Sequence, residues 1–590
     1  MIHNPSQKLL RLRRLMKQRG LQAYVIPRQD EFQGEYVAAY AERLKWLSDF
    51  SGSWGTAIVG MRKATLFVDG RYTVQAKAQV SKSAWAHKNL IDEPPVTWVK
   101  SQLRHGDKLG YDPMLLTVSE AKRYANACAE VGAKFISVAE NLIDAVWEDR
   151  PPRPTAPLFT HSVKFAGRSA ADKLKDLASE LKKQHRDCVL LTDPSSVAWV
   201  LNLRGSDVPY TPVVLAYALV YANARAEIFI EQQRLPKGLG PQITAVAPEL
   251  FAKYLLSLKG KVIQLDEANA PDFALSQLRK TKARIVFAAD PCVLPKACKN
   301  KVEQRGAVAA QKRDGAALVR FLHWFSVAAP QGKLDERQVS TQLHTFRQET
   351  GKLVDLSFES IPAAGPNAAL PHYHMPENGG RRIKTGEIFL IDSGGQYKDG
   401  TTDVTRTLIV GEPSAEMKDR FTRVLKGMIA ISVLRFPQAT TGAHIDALAR
   451  ASLWAGGFDF DHGTGHGVGS FLSVHEGPQR ISKAGHAGLQ PGMIVSNEPG
   501  YYRLGHYGIR IENLLLVTAP AKIKGGDRAM LGFETLTLAP IERALIDTRL
   551  LTRDELHWLD CYHARVLAEI GPLLPAEAAQ WLAVACAHFN

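Results

Sequence analysis

At 590 residues the chain is longer than one hydrophobic core supports, because domains average ~100 to 200 residues, so about three domains are expected. Its composition, 45% hydrophobic and 23% charged, is that of an ordinary globular protein and excludes disordered, fibrous and collagen-like classes. The formal charge of +15 is spread along the chain and not gathered into a patch, which argues against nucleic acid or an anionic membrane as the partner.

Asn4 and Pro5 predict a helix cap and first turn, with Leu9, Leu12 and Met16 on one face. Arg11 to Arg19 is then the wet side of an amphipathic helix, not a nucleic-acid arm. Gly20 offers a left-handed stop before the strand LQAYVIP, and KWLSDFSGSWGTAIVGMRKATLFVDGRY reads as a turn and two strands joined near Met61 to Lys63. That order returns in DCVLLTDPSSVAWVLNLRGSDVPYTPVVLAYALVY, with Gly52 and Gly205 in matching places. Between the copies Glu148 to Pro157 is proline-rich and charged, unable to continue a helix or a central strand, and is the best linker candidate. Two similar α/β domains are predicted, 1–155 and 156–300.

From Asn300 the texture changes. Leu318, Phe321, Leu322 and Phe325 fall at i, i+3, i+4 and i+7 on a long helix stopped by Pro330, and Asp335 with Gln338 makes a capping box for a second helix ending near Gly351. Strands follow. Behind Ser414 the same parts recur: a helix with Phe421, Val424, Leu425 and Met428 up to Pro437, a second with Ile445, Leu448 and Ser452 up to Gly456, then strands. A duplicated third domain at 301–525 is expected, followed by an extension at 526–590 whose hydrophobic helix carries Trp581 and Leu582 and covers a subunit interface or packs on the catalytic domain.

The duplication gives meaning to two hairpins, GEIFLIDSGGQYKDGTTDVTRTLIV from Gly386 and GMIVSNEPGYYRLGHYGIRIENLLLV from Gly492. Six residues after each opening glycine an acid closes the apolar run, Asp392 in one and Glu498 in the other, an offset of 106. Each hairpin re-enters an apolar run carrying a second acid, Asp403 or Glu512. Carboxylates in such runs are costly unless cations meet them. Four negative charges balance two divalent cations, and oxygen ligands favour hard ions such as Mg or Mn over structural zinc. Nitrogen ligands are available between the hairpins, where HGTGHGVGSFLSVHEG holds His462, His466 and His475. That stretch fails the G-x-G-x-x-G pattern at Val468 and lacks a P-loop lysine, so phosphate cradling is the weaker reading. Two close metals can share a water and lower its pKa for attack on a carbonyl. The absence of G-x-S-x-G and H-E-x-x-H removes the commonest serine-hydrolase and single-zinc patterns. His372, in GPNAALPHYHMP, and His475 are candidates to hold a peptide or an anionic intermediate.

At these residues the chain resembles the pita-bread metallopeptidases, and within them the three-domain cytosolic Xaa-Pro aminopeptidases. IDSGGQYKDGTTDVTRT, HGTGHGVGSFLSVHEGP, SNEPGYY and GIRIEN stand almost as in that family, and AERLKWLSDFSGSWGTAIV with VDGRY resembles its first, creatinase-like domain. The resemblance implies two creatinase-like α/β domains before a duplicated pita-bread catalytic domain. It implies Asp392 on one metal, Asp403 and Glu512 bridging both, and His466 and Glu498 on the other. It also implies supporting roles for His372, His462, His475 and Arg510, two divalent ions with manganese usual, peptides with proline at the second position as substrates, and a homodimer. His374 follows the matched histidine by two, where the family varies. An X-Pro bond is a tertiary amide without N–H, so a pocket shaped for the ring is required. Two alternatives stand beside this reading, a prolidase restricted to Xaa-Pro dipeptides and a non-enzymatic peptide-binding relative.

The six cysteines (Cys128, Cys188, Cys292, Cys298, Cys561 and Cys586) form no C-x-x-C pair, which fits a reducing compartment and neither a disulfide framework nor a zinc ribbon. With no apolar signal segment, and no apolar run beyond Val213 to Ala222, a cytoplasmic protein is expected.

Overall fold

The computed structural model of the chain describes residues 5–376 and 379–589, and the expected cap at Asn4 lies outside them. The chain divides into two compact units, one of Met1–Ser162 with Arg168–Cys292, the other of Val163–Gly167 with Val293–Asn590.

In the first unit, Leu9, Leu12 and Met16 are buried along the helix Pro5–Gln18, and Gly20 follows in the left-handed region. The strand Ala23–Pro27 is buried at every position, which accounts for its unbroken apolar sequence: a strand covered on both faces shows no alternation. It pairs antiparallel with Thr56–Gly60, which pairs with Ala64–Val68, and Trp85–Asn89 continues in parallel. On its other side Lys108–Tyr111 and Lys134–Ser137 run parallel. The second sheet repeats every step around Cys188–Leu191. Ala218–Tyr221 and Ala226–Phe229 are antiparallel in turn, with Ile243–Val246 parallel beyond them and Val262–Leu265 and Arg284–Phe287 parallel on the far side. Each sheet thus has the strand order fourth, third, second, first, fifth, sixth along its own segment. The stretch Glu148 to Pro157 between them forms neither helix nor strand, but it is anchored: Arg153 pairs with buried Glu31, and the Ala156 carbonyl accepts from Arg234 Nε at 3.1 Å.

In the second unit the long helix is Lys301–Ala328, capped by Asn300 with Glu303, and its face of Leu318, Phe321, Leu322 and Phe325 is buried. The capping box of Asp335 with Gln338 opens Glu336–Gln348. Their counterparts are Ala415–Ser432 and Gly442–Trp454. One detail differs from the sequence reading. Leu448 is 40% exposed, and the inner face of Gly442–Trp454 is Ile445, Ala449 and Leu453. The cause is a close helix crossing, where a Cβ on Gly427 would lie 2.1 Å from the Ala449 carbonyl oxygen, so the small residue rather than the leucine turns inward.

Each helix pair carries antiparallel strands. The first half has Ile361–Ala364, Ile388–Ser393 and Val404–Ile409 in that order. The second half orders Glu476–Ile481, Gly465–Gly467, Ile494–Asn497, Asn513–Val517 and Phe533–Thr535. This is the duplicated architecture that the sequence predicts, behind two matching α/β segments. The C-terminal helices Arg553–Ile570 and Ala576–Ala585 pack on the same unit: Leu582 is fully buried in a cluster with Phe421, Leu559, Val566 and Ile570.

Candidate metal centre

The same backbone device opens both hairpins. Gly386 has φ +84° and donates its N–H to the Val410 carbonyl at 2.6 Å, and Gly492 has φ +88° and donates to Val517 at 2.9 Å. Only glycine adopts this conformation without strain. The hairpins then place their acids alike. Asp392 lies next to the end of Ile388–Ser393 and Glu498 just past Ile494–Asn497, while Asp403 and Glu512 each stand one residue ahead of the returning strand.

His466 is the middle residue of the short strand Gly465–Gly467, held between neighbouring backbones. A Cβ on Gly465 would meet the Ser496 carbonyl at 1.9 Å, and one on Gly467 the Glu476 carbonyl at 2.3 Å. The glycine-rich sequence therefore serves close packing of the histidine-bearing strand. His466 Nδ1 lies 2.8 Å from the Gly467 carbonyl, which fixes Nδ1–H as donor and aims Nε2 at Asp403 Oδ2 at 3.4 Å and Glu498 Oε1 at 3.5 Å. The ligating atoms of Asp403, His466 and Glu512 lie within 4.8 Å of one another.

Second groups hold the carboxylates. Arg510 Nη2 donates to Asp392 Oδ2 at 2.5 Å, Nη1 to the Tyr502 hydroxyl at 2.8 Å, and Nε to Thr405 Oγ1 at 3.2 Å. Thr405 in turn donates to Glu512 Oε2 at 2.8 Å, and Ser496 to Glu498 Oε1 at 3.0 Å. His462 Nε2 lies 2.8 Å from the Tyr502 hydroxyl, and its Nδ1 is 2.8 Å from the Gly463 carbonyl. Tyr502 therefore accepts from Arg510 and donates to His462.

The electrostatics demand a cation. Burial pushes the acids Asp392 and Glu498 up, and Glu512 well up, with neighbouring carboxylates adding to the rise and Arg510 opposing it. Burial pulls the His466 imidazolium down, but the Asp403 hydrogen bond and the charges of Glu498 and Asp403 more than reverse this, to about 9. Asp392 Oδ1 is buried with no hydrogen-bond partner. An orphaned carboxylate oxygen among crowded acids, with one imidazole Nε2 aimed at two of them, is a donor set suited to hard or borderline divalent ions.

The other sequence candidates fall at different distances. The His475 ring packs edge-on against His466 with centroids 4.3 Å apart. His372 is half-buried and follows Pro371, whose carbonyl accepts from Arg510 Nη1 at 3.4 Å. His374 is exposed, with Nδ1 3.0 Å from Glu359 Oε2.

The sequence reading missed Tyr502, Thr405 and Arg406. Tyr502 was traceable, because pairing Gly500 with Arg510 sets Tyr502 on the same face as Arg510. Arg406 is 1% exposed, and its partners are remote in sequence: Nη1 donates to the Glu512 carbonyl at 2.7 Å, Nε to that of Pro540 at 2.9 Å, and Nη2 to Ala539 at 2.8 Å and to the Tyr562 hydroxyl at 3.0 Å.

Comparison with known proteins follows the same divisions. The sequence matches metallopeptidase family M24 over residues 306–519 and its C-terminal region over 529–589. Residues 8–146 and 149–303 each match the creatinase/prolidase N-terminal domain. A probable Xaa-Pro aminopeptidase P of Laccaria bicolor is 40% identical, covering 99% of this chain and 93% of that protein. One from Coccidioides posadasii is 38% identical, covering 95% of each. Among solved structures, the X-prolyl aminopeptidase of Caenorhabditis elegans, described as a cytosolic enzyme with a di-nuclear active site, superposes with a TM-score of 0.94 at 33% identity over 99% of this chain and 100% of its own. The prolidase of Thermococcus sibiricus, at 23% identity and a TM-score of 0.50, covers 64% of this chain and shares its fold.

Proposed function

The chain belongs to the Xaa-Pro aminopeptidase branch of metallopeptidase family M24, and from that premise we propose that it removes the N-terminal residue from peptides whose second residue is proline, using two divalent metal ions. The observation that carries this reading is the buried cluster itself, with the Asp392 Oδ1 atom left without a donor and His466 presenting Nε2 to Asp403 and Glu498. Asp392, Asp403, His466, Glu498 and Glu512 are the residues that would hold the pair, manganese being the expected metal. Bound there, the ions supply a water of lowered pKa and polarise the scissile carbonyl.

The chain's own residues prepare that chemistry. Arg510 fixes the Asp392 carboxylate at Oδ2 and Thr405 that of Glu512 at Oε2, so these ligands need not reorganise when charge develops. The Tyr502 hydroxyl, held by Arg510, donates to His462 Nε2 and sets the direction of that imidazole. His372, His462 and His475 are the groups assigned to the peptide and its anionic intermediate. A tertiary X-Pro amide offers no N–H, so recognition must come from the ring and the free amino terminus.

The likeness of the whole chain to the Xaa-Pro aminopeptidases, against partial coverage by the prolidase, favours tripeptides and longer substrates over dipeptides. We further assign domain limits at 155, 300 and 525, a homodimer and a cytosolic location. In support of the last, all six cysteines are free, and among the described residues no helix is long and apolar enough to cross a membrane. The test pairs Xaa-Pro-Xaa tripeptides with Xaa-Pro dipeptides on enzyme stripped with a chelator and restored with manganese. Tripeptide hydrolysis that disappears and returns with about two metal equivalents is expected; prompt cleavage of the dipeptide alone, or activity indifferent to chelation, overturns the reading.

A further inference from the structure

Glu336, the first residue of the helix Glu336–Gln348, is fully buried, and its carboxylate gathers four donors. Oε1 accepts from the Ala364 N–H and from Asn367 Nδ2, both at 2.8 Å, and Oε2 accepts from the Tyr373 hydroxyl at 2.8 Å and the Arg381 N–H at 2.7 Å. All four donors are neutral. The Arg381 guanidinium turns instead to Glu387, at 2.6 and 2.5 Å. Backbone closes the same junction, with the Glu336 N–H on the Arg381 carbonyl at 3.1 Å, and a Cβ on Gly380 would lie 2.5 Å from the Glu336 Cβ. A buried carboxylate is costly unless its charge is met, and here four donors and a helix N-terminus meet it. Every one of those donors comes from the chain between Ala364 and Arg381, the stretch that carries His372.

Both neighbours of His372 are held. Before it, the Pro371 carbonyl accepts from Arg510 Nη1 at 3.4 Å, and a Cβ on Gly508 would lie 1.8 Å from the Ala368 carbonyl oxygen. Arg510 also donates to Asp392, so this side is tied to the metal centre. After it, Tyr373 spans the gap to Glu336: its ring packs against Ile361, Ala363, Ala368 and Leu390, and its hydroxyl ends on Oε2. Leu390 stands two residues before Asp392 on the same strand.

We propose that Glu336 is a positioning residue for the peptidase reaction, setting the place of His372 relative to Asp392 through the Tyr373 hydroxyl. The proposal rests on the role given to His372 in holding the peptide or its anionic intermediate.

A double-mutant cycle on the manganese-restored full chain, assayed with an Xaa-Pro-Xaa tripeptide, tests it. Tyr373→Phe deletes one hydroxyl, keeps the packed ring, and is expected to lower kcat about tenfold with metal content unchanged. Glu336→Gln is expected to lower kcat about 100-fold, because whichever oxygen the amide nitrogen replaces, it meets a backbone N–H, of Ala364 or of Arg381. In a His372→Ala background Tyr373→Phe should change kcat by less than about twofold, whereas a loss of general stability would multiply with that of His372→Ala. A second readout needs no turnover. In the metal-free chain the amides of Leu370 and Tyr373, which donate to the Asn367 and Leu370 carbonyls, should exchange hydrogen about tenfold faster in Tyr373→Phe than in the native chain. Native kcat in Tyr373→Phe, unchanged exchange at these amides, or losses that multiply in the double variant overturn the proposal while leaving the role of His372 intact. A native rate in His372→Ala removes that role and the proposal with it.

Discussion

Between Gly394 and Asp403 lie nine steps of chain, and between Gly500 and Glu512 twelve. The three extra residues let the second hairpin continue as a regular ribbon, Gly500–Arg503 against Tyr507–Arg510, where the first turns on the short pair Gly395–Tyr397 and Gly400–Thr401. Tyr502, two after Gly500, and Arg510, two before Glu512, stand where the first hairpin has Gln396 and Thr401. The first hairpin has its own addition, Arg406, standing three residues after Asp403 where the second, three after Glu512, has the buried apolar Leu515. The two cations act across the duplication. Arg510 of the second half fixes Asp392 of the first, and Arg406 of the first half holds the Glu512 carbonyl of the second. Duplication supplied matching acids, and divergence made each half the support of the other.

If the acids are shared and their supports are not, damage should be graded accordingly. Asp403→Ala removes a carboxylate assigned to both metal ions and should lower kcat/KM by about 10³-fold or more, with metal lost on elemental analysis. Full metal content with only mild loss of rate would show that the first hairpin contributes less than its echo. Tyr502→Phe touches only the addition peculiar to the second hairpin. It should retain metal and lower kcat by about 10- to 100-fold, because His462 loses its donor and Arg510 one acceptor. An unchanged kcat would mean that the lengthened ribbon serves folding alone.

How much of this was legible in the chain depends on range. The repeated hairpins, capping boxes and glycine stops are local, and each left a pattern within about ten residues. Four of the five proposed ligands were traceable for the same reason, since duplication printed the acids twice, at offsets of 106 and 109, and His466 stood in the histidine-rich stretch between the copies. Leu448 was misplaced because helical spacing gives a face but not which neighbour presses on it; the close approach of Gly427 to Ala449 decided that. Arg406 was not readable at all. A guanidinium surrounded by carbonyls from Pro540 and Ala539 and by Tyr562, more than 130 residues away, has no local signature, and a buried arginine without an adjacent acid runs against the usual expectation.

The C-terminal extension enters the comparison through Arg406. Tyr562 accepts from Arg406 Nη2 and donates to the Ala539 carbonyl at 2.8 Å, so it closes the ring of acceptors around the buried charge. Tyr562→Phe leaves one guanidinium N–H less well satisfied, costing about 1 to 3 kcal/mol of unfolding free energy, and should weaken metal binding about tenfold through the Glu512 strand. Metal affinity equal to that of the native chain, with stability alone reduced, would confine the extension to packing.

The smallest effect probes the same ring at its far edge. His563 Nε2 accepts the Ile541 N–H at 3.1 Å and so pins the turn whose Ala539 and Pro540 carbonyls face Arg406. Burial, and then the charges of Arg543 and Arg406, push this histidine down to about 3. Unfolded, it would titrate near its ordinary value of about 6.5, so between these two values the unfolded chain binds a proton that the folded chain does not. Stability from this group is therefore complete above about pH 6.5 and falls by about 1.4 kcal/mol per unit as the pH drops below it. His563→Gln keeps an acceptor for Ile541 without titrating in this range. Its denaturation midpoint, followed from about pH 6.5 to 5, should lose that part of the slope, and an unaltered slope would show that His563 does not hold the turn on which Arg406 rests.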